Sequence, residues 1–376
     1  MIEITCQVKE TVEKLIVLSK VKLGSMKSLA PISVRVNKNT QSCELCLCFN
    51  SNYKQHSTYS DYYAYLNNVK CEGNGMFVIP TFIELLNILK TIGQNDYIAI
   101  QFDDKKVIVL YGDDVIFNAD SGIPDDSHIQ LLNNFEFEKG FQLPSDLLDY
   151  TSDLLKVIPS RKDSKDARFN SIVFDKHPCQ SNSLFVMRTD AIRLMYYPIS
   201  LDTEWPFGCV VIPEEVMAWF SKLKKKKNKS VLVKIHDHAL SLEYDDYRVV
   251  CLVDKKFLAV EDFIKSDVDL VFIASTEPFL KAVEYAAVGN KDAAITIKSE
   301  NKELVISDWN NEPRIRRVNC ALEKEFEWNV KSKFLTSILQ KCGDKVFINQ
   351  LLFSKDLYVI TSSDKDFYYI VTSCRK

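Results

Sequence analysis

The chain has 376 residues, with 48 Lys+Arg against 51 Asp+Glu and a formal charge of −3. That balance excludes a protein that holds nucleic acid by bulk charge, so any DNA contact has to come from positive charge gathered on one surface. The length predicts two to three domains of ~100–200 residues, and 46% hydrophobic residues are enough to give each a core.

The first predicted elements are a strand and an amphipathic helix in EITCQVKETVEKLIVLSKV. The strand-like run SCELCLCF follows. A strand then ends at Phe77-Val78-Ile79-Pro80, and the helix TFIELLNILKTIGQ follows with Phe82, Leu85, Leu86 and Leu89 on one face. Strands YIAIQF, KKVIVLYG and VIFNAD close the first third.

The middle third repeats the pattern. FQLPSDLLDYTSDLLKVI reads as a strand and a helix, with Leu147, Leu148, Thr151, Leu154 and Leu155 on one face. Val210-Val211-Ile212-Pro213 ends a strand before the helix EEVMAWFSKLKKKKNK, whose apolar face is Val216, Phe220 and Leu223. SVLVKI, ALSLEY and YRVVCLVD are the next strands.

In the last third LVFIASTEPFLKAVEYAAV is again strand and helix, with Phe279, Leu280, Val283 and Ala287 on one face. FEWNV ends a strand at Val330. Helix KSKFLTSILQKCG carries Phe334, Leu335 and Ile338, and KVFINQ, DLYVITSS and FYYIVTS complete the chain. Pro80 and Pro213 suit helix starts, where a missing N–H costs nothing. The expected architecture is α+β: three copies of one domain, 1–133, 134–266 and 267–376, each with antiparallel sheet and two helices.

The N-terminus shows no basic segment followed by an apolar one, so no signal peptide is expected. No apolar run approaches the ~18 residues of a membrane span. The 11 cysteines are an odd count and lie mostly alone in apolar runs, as Cys6, Cys71, Cys209, Cys251 and Cys374 do. They read as reduced thiols of a cytoplasmic protein.

Little in the chain points to catalysis. Cys43, Cys46 and Cys48 lack the second close pair of ligands that zinc requires, and they fit a strand. His236-Asp237-His238 falls where a hairpin turn is due. Gly73-Asn74-Gly75 has neither the third glycine nor the Gly-Lys-Ser/Thr of a phosphate loop. The pairs Asp103-Asp104, Asp113-Asp114, Asp125-Asp126 and Asp245-Asp246 read as solvated hairpin tips rather than acid/base catalysts. No nucleophile elbow is present. The expectation is a non-enzyme with no cofactor and no metal. The strongest local charge signal is Lys222, Lys224, Lys225, Lys226, Lys227 and Lys229, at the end of the middle helix and in the loop after it. Read alone, this run is either a solvated patch or a phosphate-binding one.

Together, the triplicate unit and several motifs resemble the bacterial sliding clamp family, the β subunits of the replicative DNA polymerase III. FQLPSDLL resembles the family's strand–Pro–helix opening. Arg168-Phe169-Asn170-Ser171-Ile172-Val173-Phe174 resembles R-Y…N-G-x-x-F, and Thr189-Asp190-Ala191-Ile192-Arg193-Leu194 resembles T-D-G-H-R-L. Val211-Ile212-Pro213, Leu252-Val253-Asp254-Lys255-Lys256-Phe257, Lys27-Ser28-Leu29-Ala30-Pro31-Ile32 and the tail from Tyr369 to Lys376 also match, in order and over essentially the full length.

The resemblance implies a head-to-tail homodimer closing into a ring around double-stranded DNA, without sequence specificity. Its partners would be the replicative polymerase, the clamp loader and repair proteins, bound through linear peptides. It places Lys27, Lys165, Arg168 and the lysine run on DNA. It places Thr189, Arg193, Leu194, Leu258, Phe263, Ile370, Cys374 and Arg375 on a peptide cleft, and Ile116, Phe117 and Val288 at the subunit interface. The chain departs from the pattern at Ala191 (for glycine), Ile192 (for histidine), Leu258 (for proline), Asp262 (for arginine) and at Thr372, Ser373 and Lys376 in the tail. The competing expectation is a scaffold of the same fold that binds peptides without encircling DNA.

Overall fold

The computed structural model describes residues 1–21, 31–53, 56–103, 105–121, 135, 137, 140–160, 166–289, 292–309 and 314–374. The first third holds β1 (Ile2–Gln7), α1 (Val8–Leu18), β2 (Ile32–Asn37), β3 (Ser42–Tyr53), β4 (His56–Leu66), β5 (Val69–Glu72), β6 (Gly75–Ile79), α2 (Phe82–Leu89), β7 (Tyr97–Asp103), β8 (Lys106–Tyr111) and β9 (Asp114–Asp120). The middle third holds β10 (Phe141–Pro144), α3 (Leu147–Val157), β11 (Ser171–Lys176), β12 (Ser183–Thr189), β13 (Arg193–Ser200), β14 (Val210–Pro213), α4 (Glu214–Phe220), β15 (Ser230–His236), β16 (Ala239–Tyr244), β17 (Tyr247–Leu252) and the short α5 (Glu261–Lys265). The last third holds β18 (Val268–Ser275), α6 (Thr276–Ala286), β19 (Ala294–Glu300), β20 (Glu303–Asp308), β21 (Ile315–Leu322), β22 (Glu327–Lys331), α7 (Ser332–Leu339), β23 (Lys345–Leu351), β24 (Leu357–Ser362) and β25 (Tyr368–Thr372).

The order strand–helix–four strands–helix–three strands thus recurs in each third, with β5 as an extra strand in the first. Two compact units share these elements. One comprises Met1–Leu148 with Glu215–Asp254, the other Asp149–Glu214 with Lys255–Lys376. The middle third of the sequence therefore contributes to both.

The first unit contains a five-stranded sheet, β5-β1-β7-β8-β9, and an eight-stranded sheet, β10-β15-β16-β17-β4-β3-β2-β6. The second contains one run of twelve, β14-β11-β12-β13-β25-β24-β23-β18-β21-β20-β19-β22. Helices bury the faces that their spacing predicts: Phe82, Leu85, Leu86 and Leu89 on α2, Phe334, Leu335 and Ile338 on α7. Each such side chain contributes about 1.5–3 kcal/mol by leaving water. Cys43 and Cys46 are buried in β3 as strand core, and no metal-binding group of three ligands occurs among the described residues. His236 ends β15 and Asp237 turns the hairpin at φ 49°.

Candidate functional site

The middle helix is shorter than its sequence pattern predicts. α4 stops at Phe220, and the lysine run lies beyond it, exposed in the connection to β15. Two anchors fix this loop to the first unit. Trp219 Nε1 donates to the Val17 carbonyl at 3.0 Å, and Lys222 Nζ donates to the Lys20 carbonyl at 3.3 Å. Val17 is in the last turn of α1, where its carbonyl also takes the Lys20 N–H at 3.1 Å, and Lys20 follows the helix, whose C-terminal end attracts cations.

The Asp245-Asp246 turn does not stand apart from the lysines, as a solvated tip would. Asp245, in the β16–β17 turn, pairs with Lys226 and at 3.4 Å with Lys229; Lys225 pairs with Asp146. Burial pushes the Asp245 carboxyl up, but hydrogen bonds and charge from Lys226 and Lys229 outweigh it and hold the group below the usual carboxylate range. Its neighbour Asp246 takes the buried Lys14 of α1 at 2.8 Å. Arg168 is likewise engaged: Asp166 caps the turn Ala167–Asn170 and grips the guanidinium at 2.9 and 2.7 Å. Lys224 and Lys227 are exposed and carry no ion pair among the described residues. The exposed Lys225–Asp146 and Arg168–Asp166 pairs are worth about 0.2–1 kcal/mol each, whereas the Asp245 side chain is only 9% exposed. Lys27 and Lys165 lie outside the described residues.

The second cluster is in the other unit. β12 ends at Thr189 and β13 starts at Arg193, and the turn between is tied to itself. Thr189 Oγ1 donates to the Arg193 carbonyl at 2.7 Å and accepts from Ala191 N at 3.1 Å. Asp190 accepts from the backbone of Ile192 and Arg193 and binds the Arg193 guanidinium at 3.0 and 2.6 Å. Arg193 also donates to the Val157 carbonyl at 3.0 Å and lies 4.0 Å over the Phe334 ring. It is 6% exposed. Thr189 thus ties the turn to itself and Arg193 braces it against α3 and α7.

Leu194 and Ile370 do come together, as neighbours across β13 and β25, in a core cluster with Val173, Phe185, Met187, Tyr196, Val211 and Val359. Leu258 and Phe263 pack on that cluster half-buried. The structure adds two residues that sequence reasoning missed. Leu352 and Phe353 follow β23 and are 65% and 56% exposed, with the Phe353 ring 5.9 Å from that of Phe263. The signal was an apolar pair in a turn, LLFS, where polar residues are expected. Cys374 is half-buried and donates its N–H to the Asn329 carbonyl at 2.7 Å, apart from this cluster. Arg375 lies outside the described residues.

Of the interface candidates, Val288 is 54% exposed, Ile116 is half-buried, and Phe117 is 5% exposed, packed in the core of its own unit. Val115, beside them on β9, is 59% exposed.

No family model and no curated protein matches the sequence. The fold is another matter. The DNA polymerase III β subunit of Pseudomonas aeruginosa superposes with a TM-score of 0.82 at 16% identity, over 100% of both chains. The DNA polymerase III β chain of Streptococcus pneumoniae gives 0.81 at 12% identity, again over 100% of both. The chain has the sliding-clamp fold. The β sliding clamp of C. crescentus agrees, at 0.82 and 12% identity over 100% of this chain and 99% of that one. The three recurring element sets and the two side-chain clusters are thus set on a clamp framework, with a sequence that has diverged far within it.

Proposed function

We propose that the protein works as a DNA sliding clamp: a homodimeric ring that encircles duplex DNA and tethers a replicative polymerase and other partners by short peptides, with no catalysis of its own. The observation that carries this reading is the fold likeness over the whole of both chains. The exposed lysine loop after α4 supplies cations without base-reading side chains on a recognition helix. That suits a protein that must hold phosphates and still move, since backbone contact carries no sequence information. Leu258 and Phe263, half-buried on the core that holds Leu194 and Ile370, and the exposed Phe353 beside them supply the apolar surface a short peptide needs.

The test is retention on DNA. The protein, loaded on a nicked circle, is expected to stay through gel filtration and to leave once the circle is cut. A strict monomer that never stays on circles defeats the reading. Equal binding to circles and linear fragments favours the scaffold that binds peptides without encircling DNA.

A further inference from the structure

Beside the buried cluster of Leu194 and Ile370, the same unit carries an apolar step that faces solvent. Val268 opens β18 and is 47% exposed, and Leu352 and Phe353 follow β23 at 65% and 56%. The three form one patch. Val268 pairs with Leu351 across β18 and β23, Leu352 N donates to the Asp267 carbonyl at 3.1 Å, and the Phe353 ring lies 5.9 Å from that of Phe263 on α5. The exposure is not slack in the chain. Ser354 N donates to the Leu351 carbonyl at 3.1 Å, Leu357 N to the Ser354 carbonyl at 3.4 Å, and Gln350 Nε2 to the Lys355 carbonyl at 2.7 Å. These bonds fix the turn with both large side chains in water. Single exposed apolar residues are ordinary on a surface, whereas contiguous ones with a polar rim mark a place of contact.

The rim is charged, and mostly of one sign. From α5 to the start of β18, Glu261, Asp262, Asp267 and Asp269 are exposed against one lysine, Lys265. Lys265 is held by Glu261 at 2.9 Å, and Lys324 by Asp269 at 2.6 Å. Lys355 and Asp356, next along the turn, offset each other in charge. Asp262, beside Phe263, and Asp267, beside Val268, carry no ion pair among the described residues.

We infer that the peptide taken here is basic as well as apolar: Val268, Leu352 and Phe353 receive a large apolar side chain, and Asp262 and Asp267 select a lysine or arginine flanking it. The inference rests on the peptide reading above and adds the chemistry of the segment that is accepted. A fixed apolar patch binds without first having to be ordered. A lysine or arginine can lay its stem along that patch and bring its charged head to the carboxylates. The apolar centre then supplies affinity, and the acidic rim rejects a segment of its own sign.

The test uses the full chain and fluorescence anisotropy with two labelled peptides. Both have the same core of leucine and phenylalanine, flanked at each end by two lysines in one and by two glutamates in the other. The lysine peptide is expected to bind the parent about tenfold more tightly than the glutamate peptide. Asp262→Lys with Asp267→Lys is expected to erase or reverse that preference. Leu352→Ser with Phe353→Ser is expected to weaken both peptides about tenfold and to keep it. Equal binding of the two peptides by the parent, or a preference that survives the aspartate variant, overturns the inference and leaves the peptide reading standing. So does a serine variant that binds both as the parent does. Binding of neither peptide overturns the inference and the peptide reading together. Should a variant melt early by circular dichroism, the salt series of the parent decides. The lysine peptide is then expected to lose about tenfold between roughly 50 mM and 500 mM NaCl, and a preference indifferent to salt refutes the role of the aspartates.

Discussion

At the residue scale, the turn from Thr189 to Arg193 shows how a motif can be legible while its bonding is not. Thr189, Asp190 and Arg193 of the T-D-A-I-R-L motif close the turn with their hydrogen bonds. Their direction was not in the sequence, because the acceptors at Val157 and the ring of Phe334 come from distant segments. The turn's geometry makes two substitutions informative. Ala191 sits at φ 69°, the left-handed region that costs a residue with a Cβ about 1–2 kcal/mol. Against that, glycine loosens the unfolded chain by about 0.4–1 kcal/mol. Ala191→Gly is therefore expected to stabilise the protein by a few tenths to about 1 kcal/mol, read from the urea midpoint. Arg193→Ala removes the guanidinium from a buried carboxylate and is expected to cost about 3–5 kcal/mol in the same assay. A loss below about 1 kcal/mol would mean that the pair is not structurally coupled.

At the scale of elements, helix faces and strand alternation were readable from spacing, since side-chain direction repeats every 3.6 or 2 residues whatever the rest of the fold does. The end of α4 was not. The lysine-rich continuation has good helix formers, yet Lys226 N donates to the Tyr244 hydroxyl at 2.6 Å and the chain leaves the helix toward β15. The loop divides by charge pairing. Lys225, Lys226 and Lys229 face carboxylates, whereas Lys224 and Lys227 face solvent. Removing one lysine that neutralises a phosphate lowers the salt slope of DNA binding by about 1. Lys224→Glu with Lys227→Glu is thus expected to lower that slope by about 2 without moving the melting temperature. Lys226→Ala is expected to change DNA affinity less and stability more, since Asp245 loses its closest cation. The reverse pattern, measured by fluorescence anisotropy against salt, would assign the phosphate to Lys226 instead.

At the scale of the whole molecule, burial sets the response to alkali. Burial pushes the Cys6, Cys209 and Cys342 thiols up to about 12 and raises Cys43 and Cys251 as well. An unfolded thiol ionises near 8.5. A folded value above the unfolded one means full stability below about pH 8 and a loss as pH climbs from there toward the folded value. The urea midpoint at pH 10 is therefore expected below that at pH 7 under reducing conditions. An unchanged midpoint would mean that the thiols are not held neutral by the fold.

The sequence by itself determined the α+β class, the threefold recurrence of elements, the helix faces and the absence of a phosphate loop or nucleophile elbow. Each of these is a local pattern, carried by residues within a few positions of one another. Only the tertiary structure decided that the Asp245-Asp246 turn meets the lysine loop and that Arg193 is a brace. It also showed that Leu352 and Phe353 lie open beside Phe263. These depend on which strands end up side by side. That choice is made by long-range pairing, and no window of sequence contains both partners. The charge of −3 is an instance: it counts acids and bases, but whether they stand apart or cancel face to face is settled where the chain folds back on itself.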